Sequence, residues 1–139
     1  MRAPAPPRTP SLTVDAEWTG AELSAHLVRF DIPAPTDTLM TAEPVYQINM
    51  CLTPRPLNAR ACYRTRGGPN RFERLGDLFM VPPGEQLQFR GDSGRQLSIV
   101  CRMAPEAIEA IVGHAPEWSD SQIAATLDIA NAQQYFGRL

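Results

Sequence analysis

Apolar and polar residues alternate with a period of two along short segments between residues 23 and 103, which is typical of β-strands. The clearest alternation runs through residues 45–52, where Tyr46, Ile48, Met50 and Leu52 share one side. Glycines and prolines separate the segments and predict turns. The pattern predicts strands at 23–32, 45–52, 59–65, 71–75, 77–81, 86–89 and 95–103. Short strands at this spacing predict an all-β sandwich or barrel.

The spacing of apolar residues changes to that of α-helices after residue 103. Pro105 suits the first turn of a helix, and Gly113 suits its end. Ser119, followed three residues later by Gln122, has the pattern of a capping box at the start of a second helix. A third helix is predicted from residue 131, so we expect two to three short helices after the strands.

The beginning of the chain has a different composition from the rest. Four of the first ten residues are proline, a composition that excludes a helix or a central strand. We therefore divide the sequence into a flexible arm at 1–17, a β-barrel at 18–103 and a helical segment at 104–139. Because the third helix has barely begun at Leu139, we expect the chain to be truncated from a longer protein.

Composition narrows the class of protein. The 139 residues suit one domain, and no apolar run is long enough for a transmembrane helix or a secretory signal. All 13 basic residues are arginine and the net charge is −2, which argues against a nucleic-acid binder acting alone. The three cysteines form no CxxC pair, so we expect a reducing, cytoplasmic location with no disulfide framework or structural zinc.

Charge is distributed unevenly along the chain. Residues 55–74 contain six arginines and one acid, Glu73, whereas residues 103–139 contain five acids and one arginine, Arg138. Two oppositely charged solvated faces explain this distribution most simply. Alternatively, one segment docks against the other or against an acidic partner. Arg60 and Arg64 share one side of a predicted strand, where they are solvated, form ion pairs with the acidic helices, or bind a carboxylate effector.

The most specific string is Gly76-Asp-Leu-Phe-Met-Val-Pro-Pro-Gly84, followed by Leu87 and Gly91. It resembles the second cupin motif, G-x5-P-x-G-x2-H-x3-N, in which the histidine binds a metal ion inside a β-barrel. Leu87 stands at the histidine position and Gly91 at the asparagine position. The histidine pair of the first cupin motif has no counterpart either. The resemblance implies a cupin-like double-stranded β-helix of the jelly-roll type without the metal site, and we expect no metal and no cofactor.

A wider stretch is similar to the N-terminal domain of AraC-family transcription regulators. The similar segments are residues 46–55, 58–60 and 71–84, and the likeness extends over about residues 18–139. Members of that family join an effector-binding, dimerising cupin domain to a DNA-binding domain with two helix-turn-helix motifs. The resemblance implies a regulatory domain that senses a small molecule, is not an enzyme, and reaches DNA only through a domain absent from this chain. The alternative is a small stand-alone cupin enzyme, an isomerase or a dioxygenase.

Candidate effector-binding residues are those expected to line the barrel interior, where side chains or a ligand must fill the space. Leu87 is the best placed, through its position in the motif, and Phe89 follows it by period two. The candidates are Tyr46, Ile48, Met50, Arg60, Tyr63, Leu87, Phe89, Leu97 and Ile99.

The helices after the barrel suggest a homodimer. Short helices need an apolar face that is buried against something, and the last predicted helix ends before it completes such a face. The resembled family also dimerises through helices that follow its barrel. We therefore predict an interface at Ile123, Leu127, Tyr135, Phe136 and Leu139, with packing against the chain's own barrel as the alternative.

Overall fold

A computed structural model describes residues 11–65 and 71–129 of the chain. These residues form nine strands and two helices. The strands are β1 (Ser11–Thr19), β2 (Leu23–Ile32), β3 (Thr36–Leu39), β4 (Tyr46–Cys51), β5 (Arg60–Tyr63), β6 (Glu73–Arg74), β7 (Leu78–Val81), β8 (Leu87–Gly91) and β9 (Gly94–Met103). The helices are α1 (Pro105–Val112) and α2 (Asp120–Ala125).

The strand pairing is nested. β2 pairs with β9, β3 with β8, β4 with β7 and β5 with β6, all antiparallel. Two further pairings, β4 with β9 and β5 with β8, join these pairs into two sheets. The orders are β1-β2-β9-β4-β7 in the larger sheet and β3-β8-β5-β6 in the smaller one. This is the strand order of a double-sheet jelly roll. The mainly β prediction is confirmed, and the described residues form two separately hydrogen-bonded sheets instead of one continuous barrel.

Both strands that the sequence pattern missed lie at sheet edges. β1 pairs with β2 along its whole length, with a bulge at Asp15, so the prediction of a flexible arm is wrong for residues 11–17. Every residue of β1 is exposed, and the short strand β3 is also mostly exposed. β1 itself alternates, with polar residues between Leu12, Val14, Ala16 and Trp18, but the prolines of residues 1–10 favoured a flexible arm over this strand pattern. Residues 1–10 lie outside the described residues.

The core lies between the two sheets and is closed by the segment around α2. Tyr63 and Leu87 of the smaller sheet pack with Phe79 of the larger one and with Ile123 and Leu127. Ile123 is 1% exposed and Leu127 is 2% exposed. The prediction of a dimer interface at these two residues is therefore wrong, because their side chains are buried within the same chain. The remaining predicted interface residues, Tyr135, Phe136 and Leu139, lie outside the described residues.

The start and end of α1 and the start of α2 lie where the sequence signals predict them. Pro105 occupies the first turn of α1, and Gly113 ends it with a positive φ of 90°. The Ser119 side chain accepts from the Gln122 backbone N–H while the Gln122 side chain caps Ser119 in return, so the predicted capping box is present. None of the residues of α1 is buried. The helix predicted from residue 131 lies outside the described residues.

Gly76 joins the C-terminal segment to the larger sheet. Its backbone N–H donates to the Leu127 carbonyl at 2.9 Å, and the Met80 N–H donates to the Thr126 carbonyl at 2.8 Å. A Cβ atom at residue 76 would lie 2.9 Å from the Asp128 Cα. Because side chains do not approach backbone so closely, the close passage of residues 126–128 requires glycine at this position.

The substitution Gly76→Ala is therefore expected to destabilise the protein by about 2 kcal/mol, since backbone must shift to make room for the methyl group. Urea unfolding followed by circular dichroism measures this change. Gly94→Ala is the matched control, because its Cβ would lie 3.3 Å from the nearest atom, on the Pro56 ring, which can shift slightly. Equal losses in the two variants would show that residues 126–128 impose no particular constraint at Gly76.

Candidate ligand-binding cleft

An open cleft of about 780 Å³ lies at one end of the jelly roll. Residues 51–60, which connect β4 to β5, line one side, and Phe72, Arg74, Leu75 and Asp77 line the other. The volume is within the range of pockets that hold small molecules. Three arginines and one aspartate line the cleft, so its charge is positive.

Arg55 reaches from the connecting segment into the cleft and is held there by several contacts. Its Nε donates to the Gly76 carbonyl at 2.6 Å, and its guanidinium lies 4.8 Å from the centroid of the Phe79 ring. Nη2 lies 3.4 Å from the Asn49 Oδ1 and from the Asp77 carbonyl. Burial lowers the pKa of Arg55 from its ordinary value, yet a guanidinium remains charged at any physiological pH. Arg55 thus places a fixed, partly desolvated cation in the cleft.

The wall of the larger sheet that faces the core is polar behind this cleft. Phe79 and Val81 belong to the core, and the register places Asn49 and Gln47 on the same side as them. On the neighbouring strand β9, the Gln96 Nε2 donates to the Ser98 Oγ at 2.7 Å, and Ser98 is fully buried.

Cys51 joins this polar wall to the cleft. Its Sγ lies 3.6 Å from the Ser98 Oγ, and Cys51 also lines the cleft. Burial raises the pKa of the Cys51 thiol, so it stays protonated at neutral pH. The cleft therefore leads to hydroxyl, thiol and amide groups at its inner end.

The predicted interior residues of the smaller sheet face the core. Leu87 pairs with Tyr63 in the register, and Phe89 pairs with Ala61. Leu87 is 1% exposed, and the Tyr63 hydroxyl lies 2.6 Å from the Thr126 Oγ1 and 2.9 Å from the Met80 carbonyl. These three predicted residues fill the core and do not line the open cleft.

The predicted residues of the larger sheet lie on its other side. Ile48 pairs with Cys101 and Met50 pairs with Ile99. These four side chains lie on the face of the sheet opposite to that of Asn49, which faces the core. Leu97 lies on the same outer side as Ile99. The prediction of an interior position is therefore wrong for Ile48, Met50, Leu97 and Ile99. Apart from Val100, the buried inner residues of β4 and β9 are polar, so the rule that apolar residues face inward selects the wrong side. Tyr46 is buried, and its ring centroid lies 6.4 Å from that of Trp118.

Arg60 also lies outside the core, on the exposed side of the smaller sheet, so the prediction that it lines the interior is wrong. It lines the rim of the cleft with Arg74, its direct partner in the register. Arg64 donates to the Gln88 Oε1 at 2.9 Å on the same side of the sheet. The binding residues predicted from the sequence did not include Arg55, Arg74 or Phe72, although the high density of arginines in residues 55–74 is visible in the sequence.

A row of charged residues crosses the exposed side of the smaller sheet. Asp37, Arg90, Arg60 and Arg74 are successive register partners on β3, β8, β5 and β6. The Arg90 Nε donates to the Asp37 carboxylate at 3.0 Å, and its guanidinium lies 4.2 Å from the centroid of the Phe72 ring. A hydrogen bond from Gln88 and the charge of Arg90 lower the pKa of Asp37.

Within residues 11–65 and 71–129, no group of three or more histidine, cysteine, aspartate or glutamate side chains is placed to hold a metal ion. Across the same residues, no helix has the length and apolar character needed to cross a membrane.

Among comparisons with known proteins, solved structures give matches, and each of those described below covers part of the chain. No protein-family model matches the sequence, and no curated protein matches it. Among solved structures, the cupin domain of Schizosaccharomyces pombe Cnp3 matches with 11% identity and a TM-score of 0.47, over 76% of this chain and 69% of the other. A Cupin 2 conserved barrel domain protein from Salinispora arenicola matches with 14% identity and a TM-score of 0.47, over 75% and 83%.

A DMSP lyase, DddQ from Ruegeria pomeroyi, matches with 20% identity and a TM-score of 0.44, over 60% of this chain. The chain spans 39% of that lyase.

Arg55→Met is expected to destabilise the protein by about 2 kcal/mol, because it removes a charged hydrogen bond to the Gly76 carbonyl and the contact with the Phe79 ring. Urea unfolding measures the loss. Arg95→Met is the control, since the Arg95 side chain is 80% exposed and its substitution should change stability by less than about 0.5 kcal/mol. Equal effects would show that the contacts of Arg55 add no stability.

The lowered pKa of Asp37 predicts a pH-dependent stability. A carboxyl group whose folded pKa lies below its ordinary value of 3.8 stabilises the folded state above that pH and loses this effect as the pH falls. Asp37→Asn should therefore be less stable than wild type at pH 6, and the difference should shrink as the pH falls below 3.8. Glu22→Gln, which removes a carboxylate that has no side-chain hydrogen bond or ion pair among the described residues, is the matched control. A difference for Asp37→Asn that persists unchanged into acid would contradict the role of its charge.

Proposed function

We propose that this chain is a small-molecule-sensing regulatory domain of the kind that AraC-family regulators join to a DNA-binding domain. In this proposal the chain is cytoplasmic, binds its effector without catalysis in the cleft, and contacts DNA only through a separate domain. The jelly-roll strand order and the resemblance of residues 46–55, 58–60 and 71–84 to that family support it.

The observation that carries the proposal is the position of Arg55 between the cleft and the C-terminal segment. Arg55 donates to the carbonyl of Gly76, and the N–H of the same residue donates to the Leu127 carbonyl. An anionic effector bound in the cleft attracts the Arg55 guanidinium and changes how strongly it binds the Gly76 carbonyl. That change acts on residues 126–128, which follow α2 and lead toward the C-terminal end of the chain. A sensor requires that ligand binding at one site changes the conformation of another part of the chain, here residues 126–128.

Four small anions serve as probes of this proposal: acetate, benzoate, inorganic phosphate and phenyl phosphate. We expect at least one to bind by isothermal titration calorimetry, and the neutral counterparts benzamide and phenol to bind more weakly. Each probe should be recovered unchanged after incubation with the protein. Conversion of a probe into a product would favour the alternative of a small cupin enzyme.

Backbone amide hydrogen exchange tests the coupling. A bound anion should change the protection of the Gly76 and Met80 amides at least severalfold, because both donate to carbonyls of the C-terminal segment. Amides of β1, which is far from Gly76 in the strand order, serve as the internal control. Binding without any change at Gly76 and Met80 would reject sensing through this segment.

A homodimer also belongs to this proposal, through residues other than Ile123 and Leu127, whose side chains are buried in the chain's own core. Sedimentation velocity at tens of micromolar protein tests it, and a monomer both with and without the bound anion would reject the dimer.

A further inference from the structure

We infer that Arg60 and Arg74 form a subsite for a phosphate monoester, whose apolar part lies against the leucines of the cleft wall. This inference rests on the proposed function, because it names the class of effector that the cleft takes.

Like charges lie directly opposite one another on the smaller sheet. Arg60 lies opposite Arg74 on one neighbouring strand and opposite Arg90 on the other. Side chains at such positions are about 5 Å apart at Cβ, and like charges placed there destabilise a sheet. Asp37 pairs with Arg90 and compensates one of the three positive charges. Two positive charges, on Arg60 and Arg74, remain beside each other at the rim of the cleft.

Both guanidinium groups have unused hydrogen-bond donors. Among the described residues, Arg60 makes one hydrogen bond, from Nη1 to the Asn58 carbonyl at 3.0 Å. The Arg74 guanidinium has no hydrogen bond or ion pair to any residue in 11–65 or 71–129. Each guanidinium carries five N–H donors in a planar fork, so the pair can offer several donors to a ligand lying between them.

The two positive charges of Arg60 and Arg74 favour a phosphate monoester over a carboxylate. A carboxylate has a single negative charge and two oxygens, which one arginine satisfies with a bidentate contact. A phosphate monoester has a charge of about −1.5 to −2 at pH 7 and three acceptor oxygens, which match two arginines side by side. A phosphate group therefore neutralises the pair more completely than a carboxylate does.

The cleft wall supplies an apolar surface for the rest of such a ligand. Leu57 is 77% exposed and Leu52 is 50% exposed, and both line the cleft together with Phe72. Large apolar side chains exposed beside paired cations suit a ligand with an anionic end and an apolar body. Asp77 is the one carboxylate among the lining residues, so the cleft retains a net positive charge.

Calorimetric titration with phenyl phosphate tests the inference at low ionic strength. We expect phenyl phosphate to bind at least about tenfold more tightly than benzoate, and also more tightly than inorganic phosphate, which lacks the apolar part. Arg60→Gln and Arg74→Gln should each weaken phenyl phosphate binding about tenfold and benzoate binding less. Arg95→Gln is the matched control and should leave both affinities within about twofold, since Arg95 lies outside the cleft.

The thermal midpoint of each variant without ligand provides a second measurement. Because Arg60 and Arg74 repel each other, Arg74→Gln should unfold at the same temperature as wild type or at a higher one. A lower midpoint for this variant would show that Arg74 has a structural partner and would overturn the argument from unpaired charge.

The outcomes separate this inference from the proposed function. Binding of phenyl phosphate that is unchanged in both glutamine variants overturns the subsite and leaves the proposed function intact. Benzoate binding as tightly as phenyl phosphate overturns the assignment to phosphate, and inorganic phosphate binding as tightly overturns the assignment to an ester with an apolar body. If no anion binds wild-type protein, the proposed function fails together with the subsite.

Discussion

The peptide groups on either side of Gly76 hold together three parts of the molecule that are distant in sequence. The Gly76 carbonyl accepts from Arg55, which belongs to the segment between β4 and β5. The Gly76 N–H donates to Leu127 beyond α2. Gly76 itself lies just before β7 of the larger sheet. Because its missing side chain allows residues 126–128 to pass close by, the cleft wall and the closing segment of the core share one fixed point.

This fixed point explains why the cation in the cleft is so well positioned. A lone arginine on a loop would lose much of its side-chain entropy on binding a ligand. Arg55 has already lost that freedom through its contacts with Gly76 and with the Phe79 ring. A ligand that meets a preorganised guanidinium avoids part of the cost of ordering it.

Much of the fold could be predicted from the pattern of residues, because period-two alternation, glycine and proline turns and capping residues each act locally. The bounds of β2, the end of α1 at Gly113 and the start of α2 at Ser119 follow from such local signals. The side of a strand that faces the core does not follow from them, because it depends on the partner sheet. In β4 and β9 the inner positions hold Gln47, Gln96 and Ser98, which satisfy one another or nearby groups by hydrogen bonds. The apolar residues Ile48, Met50, Leu97 and Ile99 of these two strands lie on the outer side of the sheet.

The cleft could be predicted only as a region. The excess of arginine in residues 55–74 indicated where a positively charged site lies, and that excess is visible in the sequence. Which arginines share the cleft depends on register, since Arg60 meets Arg74 only through the pairing of β5 with β6. Residues 66–70, between these strands, lie outside the described residues. The predicted interior residues Tyr63 and Leu87 instead make the core that supports the cleft from behind.

The nested pairing has a consequence for the protein while it is being made. Leu23 pairs with Met103 and Ile32 with Gly94, so the partner of β2 in the larger sheet is the last strand of the jelly roll to leave the ribosome. Until then, β1 pairs with one edge of β2, and the opposite edge, which β9 pairs later, stays open. Pairings between residues so far apart in sequence form slowly, and the growing chain exposes strand edges that can pair with other chains. The nascent chain therefore carries an open edge of β2 until residue 103 has emerged, and the β1–β2 hairpin does not cover that edge.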